Sequence, residues 1–225
     1  MKIIRKHLSL LTALGLSAGS ILPAQAIIVD GKITGGSVMN NSGHFLELGG
    51  ASEFVVGNDN FDTPNLYAFN EDQNIVINKP LSFDIGPGNN PLPVGTEVAS
   101  HYIFFDPKNL ETIQASIEFD SPVLAIMTST DNLDNSDFLA NNNITYLNPN
   151  LRGLENVDDK VTIDSSNPNV IHIDFQARRP GDYIRVLTAS SAGAESCAEI
   201  KDSPILSLTG ETISPTVEID ELGQN

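Results

Sequence analysis

The stretch from Val98 to Pro107 constrains the fold of this chain most strongly, because it is the most aromatic run in the sequence. Its apolar side chains occupy both alternating sets of positions. Tyr102 and Phe104 belong to one set, and Ile103 and Phe105 to the other. A strand with apolar residues on both faces needs a covering layer on each side. The proline at its end cannot donate to a sheet ladder, so the pattern predicts a central β-strand that stops there.

Other segments supply partners for this strand. Residues Thr112 to Phe119 and Val170 to Ala177 alternate apolar and polar side chains, which is typical of half-buried strands. Further candidate strands are Phe45–Leu48, Glu53–Val56, Leu66–Phe69, Asn74–Ile85, Val123–Thr128, Lys160–Asp164 and Tyr183–Ala189. Short turns after residues 164 and 177 predict that consecutive strands there run antiparallel. About nine or ten strands predict an all-β fold, a two-sheet antiparallel sandwich of the jelly-roll type.

One short helix is predicted within residues 131–140. Leu133, Phe138 and Leu139 are spaced badly for a strand and acceptably for a helix turn. Asp131 or Asn132 is the expected N-cap, since short polar side chains accept hydrogen bonds from the first helical amides. This is the only helix that we expect after the N-terminal segment.

The first 26 residues have the pattern of a secretory signal peptide. Lys2, Arg5 and Lys6 form a charged head, an apolar run follows, and Ala24-Gln25-Ala26 ends the segment with small residues. The apolar run is too short and too interrupted to predict a stable membrane span. Cleavage near Ala26 would leave a β-sandwich domain over residues 27–190. A tail over residues 191–225 has room for one added strand at Pro204–Leu208, and the protein would be secreted or periplasmic.

The remaining chain is strongly acidic. It keeps all 29 acidic residues but loses three of the 12 basic ones, so its formal charge is about −20. Such a surface repels phosphate backbones and anionic membranes, which excludes nucleic acid as the expected partner. The single cysteine, Cys197, permits no intrachain disulfide. The fold must therefore be held by its core, and a catalytic role for Cys197 lacks a recognisable neighbouring base.

Several segments together resemble a domain found in exported bacterial proteins of uncharacterised function. The matching segments are Phe69–Ile75, Gly95–Pro107, Phe119–Ile126, Arg152–Glu155 with Asp158, and Gly181–Thr188. They cover roughly residues 60 to 190. The resemblance implies a secreted β-rich module and assigns no activity. Some such proteins carry a C-terminal sorting tail with a Pro-Glu-Pro signature, an apolar helix and a basic end, and residues 191–225 depart from that pattern.

Catalytic patterns are weak in this sequence. His44, His101 and His172 lie too far apart for a metal-binding spacing. Ser100 and His101 are adjacent, but neighbours in a strand point to opposite faces and cannot form a dyad. No nucleophile, metal set or acid–base pair is recognisable, so we expect no enzymatic activity.

Calcium is the favoured chemical hypothesis. Asn58, Asn60 and Asp62 present oxygen ligands at alternating positions, which suits calcium, although the glycine and glutamate of an EF-hand loop are missing. A weaker candidate is the cluster of Asp131, Asp134 and Asp137, and solvated turn or capping chemistry is the alternative for both sets.

Two arginines are expected to form structural ion pairs. Arg152 and Arg185 belong to a small set of basic residues, and Glu155 or Asp158 is their expected carboxylate partner. Such a pair would fix the loop over residues 147–157 against the sheet.

Three functions remain open on this basis. The first is a non-catalytic exported module with a structural or adhesive role, whose partner is a surface glycan or an envelope component. The second is a carbohydrate-binding module that uses calcium. The chain has no tryptophan, so only Tyr67, Tyr102, Tyr146 and Tyr183 are available as tyrosine platforms for sugars. A hydrolase is the third and least expected.

Overall fold

The computed structural model describes residues 25–49, 54–57, 59–140, 144–147 and 152–190. Within them the fold is all-β, with a single short α-helix. The elements are β1 (Ile28–Gly35), β2 (Phe45–Glu47), β3 (Phe54–Val56), β4 (Leu66–Asn70), β5 (Ile75–Val76), β6 (Glu97–Phe105), β7 (Glu111–Phe119), β8 (Val123–Met127), α1 (Thr130–Asn135), β9 (Ile144–Tyr146), β10 (Lys160–Ile163), β11 (Val170–Ala177) and β12 (Asp182–Ala189). Two 3₁₀ turns span Ser37–Asn41 and Asp137–Leu139.

The strands form two main sheets. Sheet A has the order β1-β7-β11-β10 and is antiparallel. Sheet B has the order β2-β4-β6-β12-β8, with β5 beside β6, and only its β2–β4 pair is parallel. A small parallel pair joins β3 and β9. The all-β sandwich predicted from the sequence is confirmed, whereas the jelly-roll assignment stays a prediction.

The inner core lies between the two sheets. Strands β7 and β11 alternate buried and exposed residues, as their sequence pattern predicted, so sheet A has one apolar face. Ile117 and Phe175 from that face pack in the same cluster as Ile103 and Phe105 from β6. Each apolar side chain removed from water contributes roughly 1.5–3 kcal/mol before entropic costs. This layer accounts for one of the two faces of β6.

The opposite face of sheet B has a second apolar cluster, the outer core. Tyr102 and Phe104 of β6 are fully buried on this face. They are covered by the outer cover, which consists of residues 77–92, α1 with the 3₁₀ turn after it, and β9. Its packing residues include Leu81 and Leu133. The prediction that both faces of the central strand are covered is confirmed, and the second layer is mostly loop rather than sheet.

Some local predictions are wrong. The segment Asn74–Ile85 is a strand only over Ile75–Val76, with isolated bridges at Leu81 and Ile85, because its partner β6 begins at Glu97, opposite Val76. The consecutive strands β11 and β12 do not pair. The turn between them passes from sheet A to sheet B, so its short length did not indicate a hairpin.

The predicted short helix is confirmed as α1, which begins one residue before the predicted range at Thr130, although its cap differs. The N-cap is Ser129, whose side chain accepts a hydrogen bond from the Asn132 amide, and not Asp131 or Asn132. Asp84 reinforces this start by accepting hydrogen bonds from the amides of Thr128 and Ser129 at 2.7 and 2.8 Å. The carboxylate that fixes the helix start thus comes from a segment 45 residues earlier in the chain.

Several predictions concern residues that lie outside the described part of the chain. They include all but the last two residues of the predicted signal peptide, as well as Asn58, Cys197 and the tail with Pro204–Leu208. Within the described ranges, no helix is both long enough and apolar enough to cross a bilayer.

Candidate functional site

The most unusual chemical feature of the fold is a buried ionic network on the outer face of sheet B. At its centre is Arg185, in the middle of β12, whose side chain is fully buried. It lies on the same face as Tyr183 and Leu187, because alternate residues of a strand share a face. This arginine therefore projects into the outer core, where an apolar side chain would need no counter-charge.

Glu71 neutralises Arg185. The two Arg185 donors Nε and Nη2 bind Glu71 Oε2 and Oε1 at 2.6 and 2.8 Å, a bidentate pair in which neither side chain is exposed. Glu71 comes directly after β4, and its amide donates to the Ser100 carbonyl at 2.8 Å. Ser100 Oγ and Tyr146 Oη also donate to the carboxylate, at 2.6 and 2.5 Å. With four donors, both oxygens of this buried carboxylate are satisfied.

The remaining guanidinium nitrogen of Arg185 binds the end of the helix. Its Nη1 donates to the Leu133 carbonyl at 3.0 Å, to Ser136 Oγ at 2.6 Å and to Asp137 Oδ1 at 3.2 Å. One guanidinium thus joins β12, the residue after β4, and the C-terminal end of α1. These segments are distant in sequence, so the network fixes the helix on the sheet.

Arg152 extends the network towards the surface. Its Nη1 and Nη2 bind Asp137 at 3.0 and 2.8 Å, and Nη2 also binds Asp134 at 2.5 Å. The arginine side chain is 2% exposed, whereas each aspartate side chain is 41% exposed. Two arginines and three carboxylates therefore form one network, and the exposure of its side chains increases from the interior towards solvent. The cations also lie over Tyr146, with guanidinium-to-ring distances of 5.8 and 5.9 Å.

The electrostatics keep the network charged. Burial lowers the pKa of Arg185, but the charge and hydrogen bonds of Glu71, together with Tyr102 and Tyr146, outweigh burial and hold that pKa above its usual value. Burial likewise lowers the pKa of Arg152, but its contacts with Asp137, Tyr102 and Asp134 together outweigh burial and raise that pKa above its usual value. Burial raises the pKa of Tyr102 and of Tyr146, so both phenols stay neutral. The arrangement is suited to holding fixed charges and not to transferring protons near neutral pH.

Ser100 and His101 point to opposite faces, as the sequence predicted. Ser100 binds Glu71 on the outer face, while the His101 ring lies against Phe119 with centroids 4.8 Å apart. The ring nitrogens of His101 bind Asn70 and Thr188 at 2.7 and 3.0 Å. Burial lowers the pKa of His101 to about 3, so the imidazole is neutral in the folded protein. Ser100 therefore has no histidine base.

A second serine, histidine and carboxylate group lies on the surface. Asp164 accepts hydrogen bonds from Ser166 Oγ at 2.6 Å and from His172 Nε2 at 2.8 Å. In a hydrolytic triad the histidine lies between the serine and the acid. Here the aspartate lies between the other two, and the Ser166 contact is part of a turn, so the geometry is that of a turn and not of a nucleophile.

The proposed calcium ligands do not form a set among the described residues. Asn60 is exposed and donates its amide to the Val55 carbonyl at 3.4 Å. Both oxygens of Asp62 bind Arg179, and this contact lowers the pKa of Asp62. An ion at Asp62 would have to displace that guanidinium. The described ranges contain no group of three or more His, Cys, Asp or Glu placed to hold a metal.

The second calcium candidate has another use in the structure. Asp134 and Asp137 bind Arg152, while Asp131 lies in the first turn of α1. Two of the three carboxylates that looked like metal ligands in the sequence, Asp134 and Asp137, are therefore bound to an internal cation.

The prediction that Glu155 or Asp158 pairs with these arginines is wrong. Arg152 and Arg185 do form ion pairs, but their partners are Asp134, Asp137 and Glu71. Glu155 and Asp158 are exposed, and within the described ranges neither forms an ion pair. Glu71 was missed because its only signal is its place after a buried strand, 114 positions from Arg185.

Two other carboxyl groups are buried where β6 ends and β12 begins. Asp106 accepts the Phe61 amide at 3.1 Å, and burial raises its pKa to about 6. Asp182 is 2% exposed, and burial raises its pKa to about 8, with Asp159 and Glu155 adding to the shift. Asp182 Oδ2 is buried without a hydrogen-bond partner. Asp182 is therefore largely protonated at neutral pH.

The chain matches no protein-family model, no curated protein and no solved structure. The resemblance to exported bacterial domains accordingly stays a prediction from the sequence.

Removal of the Glu71 charge should destabilise the fold strongly. In Glu71→Gln, Arg185 loses its buried counter-ion and keeps only the partly exposed Asp137 at 3.2 Å, and the loss of a buried partner costs about 3–5 kcal/mol. Chemical denaturation of the purified protein measures this change. The control is Glu118→Gln on β7, an exposed glutamate that should change the free energy of unfolding by less than about 0.5 kcal/mol. Equal effects of the two substitutions would contradict the role given to Glu71.

A double-mutant cycle separates the ion pair from general packing. Combining Glu71→Gln with Arg185→Met removes the uncompensated charge, so the double variant should be more stable than the sum of the single effects predicts. A coupling free energy of at least about 1 kcal/mol is expected. Strict additivity would mean that the two side chains do not depend on each other.

Asp182 should make stability fall as the pH rises. Its pKa is raised in the folded state, so its stabilising contribution is complete below about pH 4 and is lost as the pH rises towards about 8. Asp182→Asn lacks this loss. The variant should therefore gain stability relative to the original protein between these pH values, by at most about 1.4 kcal/mol per pH unit.

Denaturation curves at pH 5, 6, 7 and 8 measure this difference. Asp158→Asn, at an exposed position, is the control and should show a constant difference. A difference for Asp182→Asn that does not change with pH would show that this carboxyl titrates normally in the folded protein.

Proposed function

We propose that this chain is an exported, non-catalytic β-sandwich module with a structural or adhesive role. The observation that carries the proposal is the buried network itself. Arg185 and Glu71 are buried completely and bind one another, Ser100, Tyr146 and the end of α1. Their charges hold the outer cover on sheet B, and in the described part of the chain neither side chain is exposed to a substrate in solution. The sandwich then acts as a scaffold whose loops make the external contacts.

The tyrosines favour this role over sugar binding. Tyr67, Tyr102 and Tyr183 are at most 6% exposed, and Tyr146 is partly buried. Tyr102 packs against Tyr146 with ring centroids 5.1 Å apart, and Tyr183 stacks on Phe104 at 6.0 Å. Sugar-binding platforms need flat rings that are open to solvent. The four tyrosines instead contribute to the outer core, so no tyrosine platform supports the carbohydrate-binding alternative.

The proposal of export rests on the sequence of the first 26 residues. It agrees with the interactions that stabilise the domain. Two apolar cores and an internal ionic network provide stability, and the lone cysteine cannot form an intrachain disulfide. The acidic surface favours solubility outside the cell over binding to anionic polymers.

The export part is tested by fractionating bacterial cells that produce the chain with and without residues 2–26. We expect the full chain in the periplasmic, envelope or medium fraction, with a shortened N-terminus near Ile27, and the truncated form in the cytoplasm. Retention of both forms in the cytoplasm would contradict export.

The non-catalytic part is tested on the purified full-length protein, with heat-denatured protein as the blank. Ester, glycoside, peptide and phosphoester substrates should give no turnover above the blank. Turnover that is abolished by Ser166→Ala would identify the surface serine as a nucleophile and contradict the proposal. A glycan array tests the rival role, since saturable binding to one sugar class would favour a carbohydrate-binding module.

A further inference from the structure

Sheet A ends in an edge strand whose outer backbone groups pair with no other strand within the described ranges. Strand β10 pairs with β11 only, and the Asp164 amide donates to the Val170 carbonyl at 2.8 Å. In an antiparallel pair, alternate residues point their backbone groups to the same side. Val161 and Ile163 therefore direct their amides and carbonyls away from the sheet.

Two other sheet edges are irregular or covered. Strand β1 carries two register shifts against its neighbour β7. The edge of β8 is covered by Ile85, whose carbonyl accepts the Ile126 amide at 2.7 Å. Bulges and covering segments prevent a sheet edge from pairing with further strands. Strand β10 has an unbroken register with β11, so its edge is open to a partner strand.

An apolar groove lies beside the edge of β10. Val161 and Ile163 line it on one side, and Ile85, Pro87 and Pro168 complete its apolar lining. Ile163 packs against the inner core but is only partly buried. A partner strand with apolar residues on its inner face would therefore bury this groove and also bind the outward backbone groups.

The segment from Lys160 to Asp164 is complementary to itself. Lys160, Thr162 and Asp164 belong to the outer face of sheet A, because alternate residues of a strand share a face. Val161 and Ile163 belong to the inner face. Two such segments that run antiparallel about a two-fold axis at Thr162 place Val161 of each copy opposite Ile163 of the other. Each of these pairs can exchange both of its backbone hydrogen bonds.

The charges of the segment favour this register. It places Lys160 of each copy directly opposite Asp164 of the other, in a non-hydrogen-bonded pair, where opposed side chains lie closest. Lys160 forms no ion pair among the described residues, and the Asp164 side chain, which binds His172, is 27% exposed. A shift of the register by two residues would lose both lysine–aspartate contacts. A shift by one would place apolar side chains on the outer face.

We propose that two copies of the chain associate through β10, antiparallel about a two-fold axis at Thr162. Their two A sheets then form one continuous sheet, and the two grooves are buried against each other. The partner on this surface is thus a second copy of the same chain. The proposal goes beyond the exported, non-catalytic role and does not depend on it.

Sedimentation velocity of the purified protein over a range of concentrations tests the association. We expect a monomer–dimer equilibrium. Lys160→Glu places like charges opposite each other at both ends of the paired strands and should weaken the dimer by about tenfold. Lys32→Glu, at an exposed position of β1, makes the same change in net charge and should leave the dimer unchanged.

A mixture of charge-reversed variants tests the register. Asp164→Lys should also weaken self-association, because the new lysine lies opposite Lys160 of the other copy. An equimolar mixture of Lys160→Glu and Asp164→Lys should restore the dimer, since each mixed pair again has opposite charges at both contacts. Circular dichroism confirms that each variant is folded, because Asp164 also accepts hydrogen bonds from Ser166 and His172.

Amide hydrogen exchange in the unmodified protein tests the same surface without a substitution. The Val161 and Ile163 amides should be more protected in the dimer than in the monomer, while the Thr162 amide, which faces β11, keeps its rate. A protein that stays monomeric, or a dimer that Lys160→Glu does not weaken, would overturn the proposal. Equal protection of Val161 and Ile163 in monomer and dimer, or folded variants that do not associate when mixed, would overturn it as well.

Discussion

The outer half of the structure depends on one fully buried ion pair, Arg185 with Glu71. Moving two charges out of water is costly, and only good geometry with further hydrogen bonds offsets that cost. The pair meets both conditions, with bidentate contacts of 2.6 and 2.8 Å and donors from Ser100 and Tyr146. Since the same guanidinium binds the end of α1, the pair also sets where the helix lies.

The two faces of sheet B are stabilised in different ways. Its inner face meets sheet A through apolar residues that alternate regularly, such as Ile103 against the cluster that contains Ile117. The outer cover has little regular structure, namely α1 with the 3₁₀ turn after it, the short strand β9 and a long segment over residues 77–92. A cover that consists largely of loops has many backbone N–H and C=O groups that need hydrogen-bond partners. Fixed side-chain donors and acceptors, as in the network and at Asp84, provide those hydrogen bonds.

The sequence predicted what depends on local pattern. Alternation identified β7 and β11, and the two-sided apolar pattern of β6 correctly indicated a layer on each face. The position of the helix followed from the spacing of Leu133 and Leu139. The two arginines were correctly expected to meet carboxylates, since a buried cation needs a counter-charge.

What the sequence did not predict depends on contacts between distant segments. Glu71 lies 114 positions from Arg185, and no local pattern links them. Asp134 and Asp137 resembled loose metal ligands until Arg152 was seen between them. The short turn between β11 and β12 has the composition of a hairpin turn, and only the topology shows that it changes sheet. The sequence does not indicate a function for the same reason, because the charged groups of the ionic network contact distant parts of the same chain.

Residue-resolved hydrogen exchange in Arg185→Met, compared with the original protein under native conditions, tests most directly that this arginine fastens the outer cover. The amides of Ser136 and Leu139, which close the helix and the turn after it, should lose protection by at least tenfold. The amides of Ile117 and Ile173 in sheet A should keep theirs. A uniform loss across both regions, or no loss at Ser136 and Leu139, would contradict the role assigned to Arg185.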